Sequence, residues 1–134
     1  MPIVGPFKPF LTGIESIDTQ HRELFESLAT AIEAIESGAP NHVIEEVMAY
    51  LAIHAIRHCQ TEESLMKQAE FPDRISHMNQ HQELILQIRE IQYQRSKGHI
   101  VGSDVIEFLW EWVDHHIRES DRNYVGYLNL AHGN

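Results

Sequence analysis

Apolar residues recur at three- and four-residue spacing in four separate stretches, and the breaks between them are marked by glycine or proline. In the first, running from about residue 18 to 37, Leu24, Phe25, Leu28, Ala31, Ile32 and Ile35 form one stripe that stops at Ser37-Gly38. The second is expected over 40–69, opening at Pro40 as the first helical residue and passing through Val43, Val47, Leu51, Ala55 and Leu65. Phe71-Pro72-Asp73 breaks it. The third, over 73–97, carries Met78, Leu84, Ile85, Ile88 and Ile91 and stops at Gly98. The fourth, over 103–121, starts after Ser103 as N-cap and buries Val105, Ile106, Leu109, Trp110, Val113 and Ile117. Strand-type alternation is absent from the sequence. Short connections between amphipathic helices predict an all-α, up-down-up-down four-helix bundle spanning residues 1–134 as one domain. The first 15 residues, broken by three prolines, read as an extended N-terminal arm.

Into this pattern the chain inserts polar residues at inward positions. Side chains four apart on a helix differ by about 40° in direction, so His58 and Glu62 project together, as do His77 and His81. His21 shares the stripe of Leu24 and Phe25, and His116 that of Trp112 and Val113. Asp121 is less regular, because five residues beyond His116 it is rotated by about 140° on an ideal helix. To join His116 at one site, the helix must end or widen into a π-type turn between them.

A single buried histidine is ordinarily hydrogen-bonded to a carbonyl, and a single His–Glu pair is ordinarily a helix salt bridge. Seven inward-capable ligands spread over all four helices fit neither explanation. Imidazole and carboxylate are costly to desolvate without a partner, and a metal is such a partner. Five imidazoles and two carboxylates exceed the four ligands of a closed zinc site, and two ions are the natural count. Carboxylates bridge ions roughly 3.5 to 4 Å apart, which makes Glu62 and Asp121 the bridges and the histidines terminal ligands. Zinc storage stays open as an alternative, since imidazole also suits zinc.

The composition narrows the partners. Ten Lys plus Arg against twenty Asp plus Glu give a net charge of −10, which disfavours nucleic acid and anionic membranes. No segment is apolar over a membrane-spanning length, so no membrane insertion is expected. Cys59 is the one cysteine and cannot form an internal disulfide, so a cytoplasmic location is expected.

The motifs IDTQH (Ile17–His21), HCQTEESLM (His58–Met66), FPDRISHMNQH (Phe71–His81) and WVDHHIRESDRNY (Trp112–Tyr124) resemble the hemerythrins, in particular the single-domain bacteriohemerythrins, in order and spacing over nearly the whole chain. That resemblance implies a non-heme, oxo- or hydroxo-bridged pair of iron ions. His77, His81 and His116 would hold one iron, and His21 and His58 the other, with Glu62 and Asp121 bridging. It further implies reversible dioxygen binding for transport, storage or delivery, with O2 bound end-on as hydroperoxide at the iron held by only two histidines. The positions matching the family's apolar oxygen pocket are Leu24, Cys59, Trp112 and Val113.

Three positions depart from the family pattern. Cys59 stands where phenylalanine is usual, which predicts a roomier pocket and faster autoxidation. His54 stands where tyrosine is usual, and is expected to make a supporting or core hydrogen bond rather than to act as a ligand or gate. Phe7 and Phe10 stand in place of a tryptophan in the arm. Glu63 is expected on the outer face, Met66 in the core, and Tyr124 against the end of the fourth helix. A di-iron oxygen or redox sensor, working through a separate signalling or oxygen-consuming partner, and an enzyme reducing peroxide or nitric oxide are the competing readings. No paired general acid or polar substrate cluster supports the enzyme, so a non-enzymatic role is expected.

Overall fold

The computed structural model describes residues 12–121, 123, 124, 126 and 127, with the side chains of residues 120 and 121 excepted. It contains α1 (Glu15–Glu36), α2 (Asn41–Gln68), α3 (Arg74–Ser96) and α4 (Ser103–His116), followed by a π turn (Ile117–Asp121). There is no strand among the described residues. Helix α1 packs on α2 and α4, and α2 packs on α3, which is the expected bundle. The expected arm lies outside the described residues as far as residue 11, so Phe7 and Phe10 receive no structural account.

The buried positions keep a coiled-coil rhythm. On α3 they are His77, His81, Leu84, Ile88 and Ile91, a strict alternation of four- and three-residue steps. Helix α1 repeats it with Ile17, His21, Leu24, Leu28 and Ala31, and α4 with Ile106, Leu109, Val113 and His116. Each polar residue therefore takes a place where a core knob would otherwise stand. A large apolar cluster that includes Leu28, Leu51, Ile88 and Leu109 fills one part of the bundle. A smaller one, built on Ile17, Met66, Phe71 and Tyr124, closes the other end. Met66 and Tyr124 are fully buried there, and Tyr127 Oη donates to the carbonyls of Ala69 and Glu70 at 3.0 and 3.2 Å.

Helix ends depart from the sequence reading in three places. Helix α1 begins at Glu15 rather than near residue 18, because Asp18 fastens the incoming chain: its carboxylate accepts from Thr12 N, Thr12 Oγ1 and Gly13 N at 2.9, 2.7 and 3.1 Å. Pro40 takes the N-cap position instead of the first helical one, with extended backbone at ψ 152°. Gly102 is the N-cap of α4, which frees the Ser103 hydroxyl to donate to Glu36 Oε2 at 3.1 Å across to α1. Gly38 and Gly98 terminate α1 and α3 as expected, both with positive φ that an L side chain adopts only with strain.

Asp18 holds the chain entering α1, so Asp18→Ala should destabilise the protein by about 1 kcal/mol, the usual net value of a lost hydrogen bond. A denaturant midpoint unchanged from wild type would show that the Thr12–Asp18 contacts contribute nothing.

Candidate metal centre

Antiparallel packing brings the start of α1, the end of α2, the start of α3 and the end of α4 to the same level, between the two apolar clusters. His21, His58, Glu62, His77, His81 and His116 meet there, and all six are buried. Their ligand atoms fall into two groups, each spanning no more than 4.8 Å: Glu62 with His77, His81 and His116, and Glu62 with His21 and His58. Glu62 belongs to both. This division was legible in the spacing only as two chelating pairs; its three-to-two partition needs the bundle.

The geometry centres on one carboxylate oxygen. His58 Nε2, His81 Nε2 and His77 Nε2 approach Glu62 Oε1 at 2.9, 3.1 and 3.6 Å. Glu62 Oε2 has no hydrogen-bond partner among the described residues. The ring pairs His21–His58, His77–His81 and His77–His116 have centroids 4.5, 4.6 and 4.8 Å apart. Desolvation pushes the Glu62 carboxyl toward its neutral form, but the charge of His58 and hydrogen bonds from His58, His77 and His81 outweigh it and hold the group well below its ordinary value.

The rear nitrogens test whether a metal fits. His81 Nδ1 lies 2.9 Å from Glu63 Oε2, and His116 Nδ1 lies 2.7 Å from Gln80 Oε1. Both partners accept, so both Nδ1 atoms must donate, and a neutral ring then directs its Nε2 lone pair inward. A lone pair facing a carboxylate oxygen at 3.1 Å is repulsive unless a proton or a metal cation lies between them. The donor set therefore fits a cation.

The widened turn that Asp121 would need in order to face His116 is present in the backbone. The chain widens into a π turn directly after His116 and Asp121 is its last residue, while the Asp121 side chain lies outside the described residues. Among the pocket positions, Leu24 and Val113 are buried in the main core, and Trp112 is half-buried and stacked on His116 with centroids 5.2 Å apart and planes 10° apart. Cys59 is buried, and its ligand atom lies within 4.8 Å of those of Glu63 and His81, toward α3.

His54 joins neither group of ligands. Its Nδ1 lies 2.6 Å from Ser27 Oγ, and its ring meets Tyr50 edge-on, so it ties α2 to α1 one turn from His58. His42 and His99 are exposed, as is His115, and His132 lies outside the described residues. The sequence reading placed Glu63 on the outer face; it is instead half-buried and bonded to His81. Glu63 follows Cys59 by one turn, on the flank of α2 that meets α3, a placement that spacing along α2 alone does not give.

The family described as Hemerythrin HHE cation binding domain matches residues 12–128. This chain belongs to that family. A bacteriohemerythrin of Pseudomonas paraeruginosa is 31% identical over 114 residues, covering 85% of this chain and 74% of the relative. A hemerythrin-like protein of Naegleria gruberi is 28% identical over 129 residues, covering 94% and 97%. A crystal structure of wild-type hemerythrin superposes with a TM-score of 0.83 at 21% identity, covering 92% of this chain and 98% of that one. A leucine-to-alanine variant of hemerythrin gives 0.85 at 22% identity, covering 96% and 98%. The hemerythrin domain is metal-binding, and the His/Glu cluster of this chain suits a pair of ions. No helix among the described residues is long and apolar enough to cross a membrane.

The depressed Glu62 value has a sign for the metal-free protein. Its stabilising contribution is present above the unfolded value near 4.5 and is lost as pH falls through the lower folded value. The urea midpoint of the metal-free wild type should therefore fall as pH drops from about 6 to about 3, and less steeply in Glu62→Gln. Equal slopes would remove Glu62 as the cause.

Proposed function

We propose that this chain binds dioxygen reversibly at a non-heme di-iron centre, as a carrier, store or delivery protein rather than an enzyme. The observation that carries the reading is that Glu62 is common to one group of three histidines and another of two. On this reading His77, His81 and His116 would hold one iron and His21 and His58 the other, with Glu62 and Asp121 shared between them. The group with fewer histidines leaves a position for an exogenous ligand. When bound, the iron pair supplies the electrons that dioxygen takes up on binding and returns on release. Imidazole-rich sets suit iron as well as zinc, but seven ligands shared between two ions leave an open position that a closed zinc site lacks.

The protein's part is to orient and to exclude water. Leu24 and Val113 are almost fully buried beside the ligands and deny water and protons access to bound oxygen. Trp112 stacks on His116 and fixes its plane. The bacteriohemerythrin relatives bear names consistent with this reading. A lone buried Cys59, with no disulfide to form, suits a cytoplasmic setting.

The deciding experiment is iron content with the visible spectrum of the reduced protein, recorded without air, after air, and after oxygen is removed. About two irons per chain and a charge-transfer band that appears and then disappears are expected. Iron that oxidises once and stays oxidised would instead identify a sensor or a peroxide- or nitric-oxide-reducing enzyme.

Cys59 offers a separate check. Filling its position in Cys59→Phe should slow autoxidation of the oxygenated protein, measured as decay of the same band. An unchanged rate would end the idea that the cysteine loosens the site.

A further inference from the structure

Each of two imidazoles in the three-histidine group leans on an acceptor behind it, and the two acceptors differ in kind. His116 Nδ1 meets the neutral amide oxygen of Gln80, whereas His81 Nδ1 meets the carboxylate of Glu63. His81 is 1% exposed, while the Glu63 side chain is 29% exposed and lines a groove of about 480 Å³ between α2 and α3 with Lys67, Arg74, Ile75 and Met78. The Glu63 carboxylate thus bonds a buried imidazole through Oε2 while its side chain is partly open to the groove.

We propose that Glu63 is the positioning residue of His81: it fixes the ring in the Nδ1–H tautomer, aims its Nε2 at the metal, and makes it a stronger electron donor than His116. Three observations converge on this. The 2.9 Å contact requires Nδ1 to donate, because a carboxylate only accepts. The opposite nitrogen of the same ring lies 3.1 Å from Glu62 Oε1, so tautomer choice at the rear determines what the front can offer. An anionic acceptor shifts more charge into the ring than an amide does, so His81 and His116 are not equivalent donors although they belong to the same group. Neighbouring Glu62 and Glu63 thereby divide the work on His81, one facing each nitrogen.

Cys59 completes the surroundings of this pair, since its ligand atom lies within 4.8 Å of those of Glu63 and His81. A small side chain one turn before Glu63 leaves the carboxylate space to reach His81. The inference rests on the metal-site reading but not on dioxygen as its ligand.

The test compares wild type, Glu63→Gln and Glu63→Leu. Nitrogen-15 NMR of the zinc-loaded, diamagnetic protein reads the tautomer directly, and competition with a chromophoric chelator reads affinity for ferrous ion. In wild type, His81 should be protonated on Nδ1. Glu63→Leu should lose that preference and bind ferrous ion about 10–100-fold more weakly, the usual cost of removing such a partner. Glu63→Gln keeps an acceptor oxygen, so it should retain the tautomer and most of the affinity while raising the midpoint potential of the iron-loaded protein. Thermal melts of the metal-free variants separate this from general unfolding. An Nε2–H tautomer in wild type, ferrous affinity of folded Glu63→Leu within about twofold of wild type, or a potential unmoved in Glu63→Gln would overturn the proposal. If the tautomer and affinity results hold but no reversible oxygen band forms, only the dioxygen reading falls.

Discussion

A single buried carboxylate organises this molecule. Removing an unpaired carboxylate from water costs several kcal/mol even after relaxation, a large share of the roughly 5–15 kcal/mol that holds a domain folded. Glu62 is fully buried, so the chain must deliver compensating groups to it. Three imidazoles from α2 and α3 do so directly, while His21 from α1 and His116 from α4 complete the two ligand groups. All four helices are thereby tied at one level, and their register follows from that tie as much as from apolar packing.

The rest of the bundle is arranged to make this tolerable. The buried histidines and Glu62 lie on the seam positions of their helices, so they interrupt the core without widening it. Apolar clusters on both sides keep water from relaxing the site, which strengthens each polar contact within it. The cost is carried by the rear contacts. Gln80 and Glu63 bond the Nδ1 atoms of His116 and His81, and Trp112 stacks on His116, so each ring is held in orientation as well as packed.

Helical periodicity made much of this legible. The 3.6-residue repeat identifies the four stripes and the inward direction of His21, His58, Glu62, His77, His81 and His116, because direction around one helix depends only on spacing. The need for a widened turn before Asp121 followed from the same arithmetic. What periodicity does not contain is the rotation of one helix against another, and Glu63 depended on that: its direction on α2 is ambiguous until α3 brings His81 alongside. Helix starts were missed for a related reason. The α1 boundary depends on Asp18 reaching back to Thr12, and the α4 boundary on Ser103 finding Glu36, which are contacts between segments rather than properties of either.

The same geometry changes how Cys59 is to be understood. Resemblance to the family assigned residue 59 to the wall of the oxygen pocket, where size alone would matter. In the bundle it also sits one turn before Glu63 and close to His81, so a larger side chain there bears on the Glu63–His81 contact. Pocket volume and imidazole orientation are then two consequences of one position on α2. A change in oxidation rate caused by the pocket would leave the His81 tautomer as it is, whereas one transmitted through Glu63 would move both. The small residue at 59 and the carboxylate at 63 are therefore coupled features of this chain, and the effect of either is defined only with the other in place.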